Sequence, residues 1–156
     1  MNRKIKLRAW QKYHKKMLEV LDIGFKDGEV NSVKVKYPED TIPAVVTYKK
    51  NDKKFWLDDC IKLMQYTGLK DNNNNEIYEG DVLKQVKKSS REGYERSSYD
   101  KNNFEVVFKY GSFWLQRPYD DSVYIRDFPN IDEFVGFECF KIVGNIYENP
   151  ELLETK

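Results

Sequence analysis

At 156 residues the chain has the length of one domain, enough to bury a core without disulfide or metal staples. Its net charge of +1 falls short of the strongly basic balance of a dedicated nucleic-acid-binding domain, and no run approaches the ~18 apolar residues of a membrane span. Aromatics make up 15%, with eleven tyrosines and nine phenylalanines, an enrichment that favours strands over helices.

The first segment, "MNRKIKLRAW", is basic but has no apolar run behind it, so no secretory signal is expected. Residues 4–10 alternate: Ile5, Leu7 and Ala9 on one side, Lys4, Lys6, Arg8 and Trp10 on the other, the period of a half-buried strand. Its lysines are of the kind that protect an edge strand. Asp27-Gly28 between two alternating runs predicts a hairpin that continues through Val33, Val35 and Tyr37. Pro38 and Pro43 punctuate a loop before the short strand "AVVTYKK". "FWLDDCIKLMQYTGL" reads as a strand, a tight turn at Asp58-Asp59 and a strand from Ile61, with a short helix as the competing reading. "DVLKQVK" is a strand; 88–103 is long, polar and aperiodic, a mobile loop. "FEVVFKYGSFWLQR" is a hairpin turning near Tyr110-Gly111-Ser112, and "ECFKIVGNIYEN" is a final strand or pair. Asn149, Pro150 and Glu151 then read as N-cap, N1 and first-turn acid of a short helix. A helix that short is marginal alone, so Leu152 and Leu153 must dock on something. The sum is eight to ten short strands in a mainly antiparallel sandwich or barrel.

The run "KDNNNNEIYEGD" invites a calcium reading, with Asp71, Asn73 and Asn75 at loop positions 1, 3 and 5, Ile77 at 7 and Glu79 at 9. The pattern fails at position 6, where Glu76 replaces Gly, and at position 12, where Val82 replaces a bidentate Glu. A strand-to-strand turn explains the run better, since Asn tolerates left-handed backbone angles. Gly80-Asp81 reads as a bend that restarts a strand, with Asp81 accepting backbone N–H groups and Tyr66 and Tyr78 packed around the turn. Cys60 and Cys139 fit no metal spacing and are expected as reduced, buried thiols in a cytoplasmic protein.

Three blocks, "NRKIKLRAW", "LMQYTGLKD…EIYEGDVLK" and "IVGNIYENPELL", occur in the order and rough spacing of the YopX family, small proteins encoded mostly by phages and prophages of Gram-positive bacteria. The residues that carry the resemblance are Tyr66, Thr67, Gly68, Leu69, Ile77, Tyr78, Gly80, Asp81, Gly144, Asn145, Ile146, Tyr147, Asn149 and Pro150. One departure is Asn74, where the family usually has Gly; Asn also enters the left-handed region. The resemblance implies a mainly β fold, with small antiparallel sheets and an SH3-like barrel portion, and a homo-oligomer. It implies no reaction, cofactor or catalytic residue. The organisation expected is a single YopX-like domain over 1–156, with an N-terminal β sub-region at 1–50 and a barrel region at 55–148.

Three functions compete. As an enzyme the chain offers little: the single histidine, His14, has no evident acid or nucleophile beside it, and the adjacent acids Asp58, Asp59, Asp120 and Asp121 are the pairs to check for a metal-dependent nuclease. Nucleic-acid binding would use Lys4, Lys6, Arg8 and Trp10 on one strand face, together with Lys87, Lys88, Arg91, Tyr94, Arg96 and Tyr99 in the polar loop, bases meeting phosphates and rings stacking on nucleobases. An oligomeric interaction or assembly module, docking to its own copies or to a host or phage protein, fits the uneven charge: seven bases and no acid in residues 1–16, nine acids against four bases in 117–156. The last reading leads. No cofactor and no membrane association are expected.

Overall fold

The computed structural model describes residues 5–38, 43–50, 57–86, 103–117, 124–125 and 140–154. Within them the protein is mainly β with antiparallel pairing, and it divides into two compact units, Ile5–Gln65 and Tyr66–Lys156 with Met1–Lys4. No helix among the described residues is long and apolar enough to cross a membrane.

The first unit contains β1 (Leu7–Gln11), β2 (Lys16–Lys26), β3 (Glu29–Lys36), β4 (Val45–Lys49), the single helical turn α1 (Leu57–Cys60) and the first half of β5 (Ile61–Lys70). The strands lie in the order β4-β3-β2-β1-β5. Apolar positions explain the irregularities of this meander. Leu18 and Val20 face the core, as does Ile23, a spacing of three that a regular strand cannot keep on one face. A bulge at Leu21 restores the phase, and a second, between the pairs Gly24–Ser32 and Phe25–Val30, does the same for Val30 and Val33 on β3. Asp27 and Gly28, both at positive φ, make the two-residue turn that the sequence predicts. Ala9, Leu18, Val33, Val35, Tyr37, Tyr48, Leu57, Cys60 and Ile61 form the core. Inside it the hydroxyls of Tyr37 and Tyr48 share a 2.6 Å hydrogen bond. Burial, followed by that bond and the nearby Cys60 thiol, pushes the Tyr37 phenol above its ordinary range, so it stays neutral and bonded.

Three expectations are corrected here. β1 is not an edge strand: β2 pairs on one side and β5 on the other. Its alternation does not mark one wet face either, because Ala9, Trp10 and Gln11 are all buried, while Ile5, expected on the core side, lies ahead of the strand and is exposed. The tight turn at Asp58-Asp59 is a turn of α-helix, the competing reading, which sinks Leu57 and Cys60 into the core.

The second unit holds the rest of β5 with β6 (Glu76–Tyr78), then β7 (Asp81–Gln85), β8 (Asn103–Lys109), β9 (Ser112–Gln116), β10 (Tyr124–Ile125), β11 (Phe140–Asn145) and a 3-10 helix at Pro150–Leu153. Five strands form a sheet in the order β10-β9-β8-β7-β11. Tyr110 and Gly111, both left-handed, turn β8 into β9. The core is aromatic: Phe104, Phe113 and Phe140 with Ile77, Leu83, Val106 and Leu115. Phe104 and Phe140 meet edge to face at 6.0 Å. Asn149 holds the predicted N-cap position, with Pro150 and Glu151 in the first turn. The helix is a single 3-10 turn, and Asn149 makes no side-chain capping bond. Its side chain lies against Gly144 instead: a Cβ on Gly144 would come within 2.5 Å of Asn149 Oδ1 and 2.6 Å of Leu152 Cδ1. Leu152 is thus docked as the marginal helix requires, and its carbonyl accepts a bond from Asn103 Nδ2 at 2.7 Å.

Candidate functional site

The middle and last blocks of the sequence pattern come together in the second unit. Asp71, 5% exposed, is the hub of the Asn-rich turn. Its Oδ1 accepts the backbone N–H groups of Asn73 and Asn75, each at 2.9 Å, and its Oδ2 accepts Asn75 Nδ2 at 3.3 Å. Asn74 takes the left-handed conformation that the turn needs, φ 68°. Oδ2 also accepts the N–H of Ile142 at 3.1 Å, and Asn72 donates its own N–H to the carbonyl of Phe140 at 2.9 Å. These are the outward-facing backbone groups of β11, the last strand of its sheet. The turn therefore closes an edge that would otherwise present open hydrogen-bonding groups. Burial pushes the Asp71 carboxyl up, but the donors outweigh it and hold the group below its ordinary range.

The Gly80-Asp81 bend works as a second clasp. Gly80 is left-handed, φ 77°. Its N–H reaches the carbonyl of Val106 at 2.8 Å, and its carbonyl accepts the N–H of Ile146 at 2.9 Å. Asp81, 1% exposed, accepts the N–H of Tyr78 at 2.8 Å, reaching backward across the turn rather than forward. Thr67 Oγ1 donates to the carbonyl of Ile77 at 2.8 Å, and the rings of Tyr66 and Tyr78, directly opposite on β5 and β6, lie 5.4 Å apart. Asn145 faces Asp81 across the ladder and folds the chain that follows: its Oδ1 accepts the N–H groups of Tyr147 at 3.0 Å and Glu148 at 2.9 Å, while its Nδ2 donates to the Glu148 carboxylate. Asp71, Asp81 and Asn145 are thus engaged with backbone, and what they accomplish chemically is turn closure.

One electrostatic cluster had no local signal in the sequence. Glu105 is raised above the ordinary glutamate range, first by burial and then by the charge of Glu79, with Lys109 pulling the other way. Tyr147 is raised by burial and by Glu79 and Glu105. In both groups burial disfavours the charged form. The residues come from a turn, a strand and the chain after β11, so no spacing rule could have joined them. No group of three or more His, Cys, Asp or Glu side chains able to hold a metal ion occurs among the described residues.

The basic residues expected to contact nucleic acid are placed as follows. Lys6 and Arg8 are half-buried at the start of β1, and the Arg8 guanidinium lies 3.7 Å from the sulfur of Met64. Trp10 is 5% exposed, so its ring is no surface platform for a base. Lys4, Lys87, Lys88, Arg91, Tyr94, Arg96 and Tyr99 lie outside the described residues, as do Asp120, Asp121 and Cys139. Large apolar side chains that reach solvent include Tyr13 (72% exposed), Phe25 (68%) and Tyr110 (82%) at strand ends and turns, with Phe108 half exposed. Phe108 packs against Phe113 and Tyr110 against Trp114, at 5.1 and 6.4 Å between ring centres.

The chain is similar to the crystal structure of protein EF1440 from Enterococcus faecalis, with 28% identity and a TM-score of 0.61, the match covering 98% of this chain and 100% of that one. Among curated proteins, none matches. The YopX protein family profile matches residues 6–154, nearly the whole length, and the chain belongs to the YopX family.

Proposed function

We propose that this YopX protein is a non-enzymatic, oligomeric interaction or assembly module of phage or prophage origin, acting inside its bacterial host. The observation that carries the reading is where the side chains are spent. The polar residues of the family blocks, Asp71, Asp81 and Asn145, serve internal backbone groups. Among the side chains that reach solvent are large apolar ones: Phe25 and Tyr110 at hairpin ends and Val45 on an outer strand. Aromatic side chains are enriched at the association surfaces of proteins. The SH3-like barrel portion implied by the resemblance belongs to this proposal as the scaffold that presents such surfaces.

Binding of nucleic acid is the second reading, and it now rests on the loop lysines and arginines rather than on β1, whose Trp10 is buried. One experiment separates the two. The mass of the protein in solution is measured by light scattering across a concentration series, beside anisotropy of labelled single- and double-stranded DNA and RNA at low salt. A stable oligomer without nucleic-acid binding supports the assembly module. A monomer whose binding to nucleic acid collapses between about 50 and 200 mM salt overturns it.

A further inference from the structure

Strand β4 is the outer strand of the first unit's sheet, and the direction of its backbone is set by two bonds that flank it. Tyr37 donates its N–H to the carbonyl of Ala44 at 2.7 Å, and Lys50 donates to the carbonyl of Asn31 at 2.8 Å. In an antiparallel ladder the bonded residues alternate. Ala44, Val46, Tyr48 and Lys50 therefore turn their backbone groups toward β3, and Val45, Thr47 and Lys49 turn theirs outward. Side chains follow the same alternation: Val46 and Tyr48 point to the core, while Val45, Thr47 and Lys49 are exposed. The contrast with the second unit is direct. There the Asp71 turn covers the outward groups of β11. Among the described residues no such cover meets Val45, Thr47 or Lys49.

We propose that β4 is the interface between two copies of this chain, pairing antiparallel with β4 of the second copy about a two-fold axis at Thr47. The inference rests on the assembly reading and names its contact. The register is self-complementary. It sets Thr47 against Thr47 of the second copy, Val45 against Lys49 and Val46 against Tyr48, with the outward residues forming roughly six backbone bonds. The Thr–Thr and aromatic–β-branched pairs are among those that stabilise antiparallel sheets. No like charges face each other, and the apolar Val45 is covered by the aliphatic stem of Lys49. Sliding the register one way drives Lys49 against its own counterpart. Sliding it the other way brings in Pro43, which has no N–H to donate. A second copy thus fits this edge in one register, and pairing extends each core past Val46.

The test uses the full-length protein. Thr47→Cys places two thiols on the axis of a hydrogen-bonded pair, where Cα atoms lie about 5.5 Å apart, within disulfide range. Mild oxidation should give a cross-linked dimer that is absent in wild type treated alike. Thr47→Pro removes an outward N–H that β3 does not use, and Val45→Lys sets a lysine against Lys49; each should weaken association at least about tenfold in sedimentation while far-UV circular dichroism stays unchanged. An oligomer that survives both changes, with no Thr47→Cys cross-link, overturns the β4 interface and leaves the assembly reading standing. A wild-type protein that is monomeric at every concentration overturns both.

Discussion

Replacing Asp71 by Asn removes one function of the side chain and keeps another. An Asn side chain still offers an oxygen to the N–H groups of Asn73 and Asn75, which Oδ1 now accepts at 2.9 Å. It must then turn its amide toward the N–H of Ile142, where Oδ2 now accepts at 3.1 Å, so donor faces donor. A bond to an ionised group contributes about 1.5–3 kcal/mol, and a stranded donor costs a similar amount. Ile142 is half-buried, so water recovers part of the loss, and the expected cost is about 2 kcal/mol. Asp71→Ala removes every bond and should cost about 4 kcal/mol. Hydrogen exchange reads the difference locally. Opening at Ile142 should become about 30-fold faster in Asp71→Asn, the amides of Asn73 and Asn75 should change little, and Asp71→Ala should release all three. The acid side gives a second check. The folded carboxyl lies below its ordinary value, so its contribution is complete above the unfolded value near 3.9 and fades only as pH falls through the lower folded one. Unchanged Ile142 exchange in Asp71→Asn would refute the view that this carboxylate closes the β11 edge.

Three further outcomes follow from the packing. Gly144→Ala puts a methyl within 2.6 Å of Leu152 Cδ1 and closer still to Asn149, and should cost about 1–3 kcal/mol in thermal unfolding as the 3-10 turn is pushed off. Glu105→Gln should stabilise the protein at pH 7 by no more than about 1 kcal/mol, given its partial exposure. The folded carboxyl is raised, so ionisation weakens the fold as pH climbs through the window above about 4.3; the gain should vanish in urea melts near pH 4. Tyr48→Phe strands the Tyr37 hydroxyl and should cost about 1–2 kcal/mol, and adding Tyr37→Phe should recover part of it, a coupling that a double-mutant cycle measures directly.

Local chemistry was the legible part of the chain. Asp27-Gly28 and Tyr110-Gly111 turn where their residues say they must, because positive φ is a demand on one or two positions. The Asn run was readable as a turn for the same reason. Its purpose was not, because the partner, Ile142, lies 71 residues away and contributes only a backbone N–H, which has no letter in the sequence. β1 misled for a related reason: alternation reports which side chains share a face but not how many strands lie beside them, and Trp10 on the polar side is buried all the same. Asn149 takes the cap position that Pro150 and Glu151 predict, but its side chain makes no capping bond and lies against Gly144. The Glu105–Glu79–Tyr147 cluster joins three elements and needed the fold to be seen.

The return of β11 to β7 also sets a timetable. In the first unit β1 to β4 pair with their neighbours in sequence and β5 returns to β1, so all its partners exist once Gln65 has been made. The second is different: β7 ends at Gln85, but one of the two strands that flank it begins at Phe140. At roughly 5–20 residues per second, a ribosome leaves β7 without that neighbour for several seconds, and the Asp71 turn without its strand for as long. Slow codons or a truncated message in this interval would leave a strand edge open beside an aromatic core. Such a nascent chain calls for a chaperone at that moment and not before, and losing the last fifteen residues would harm yield more than their small share of the core suggests.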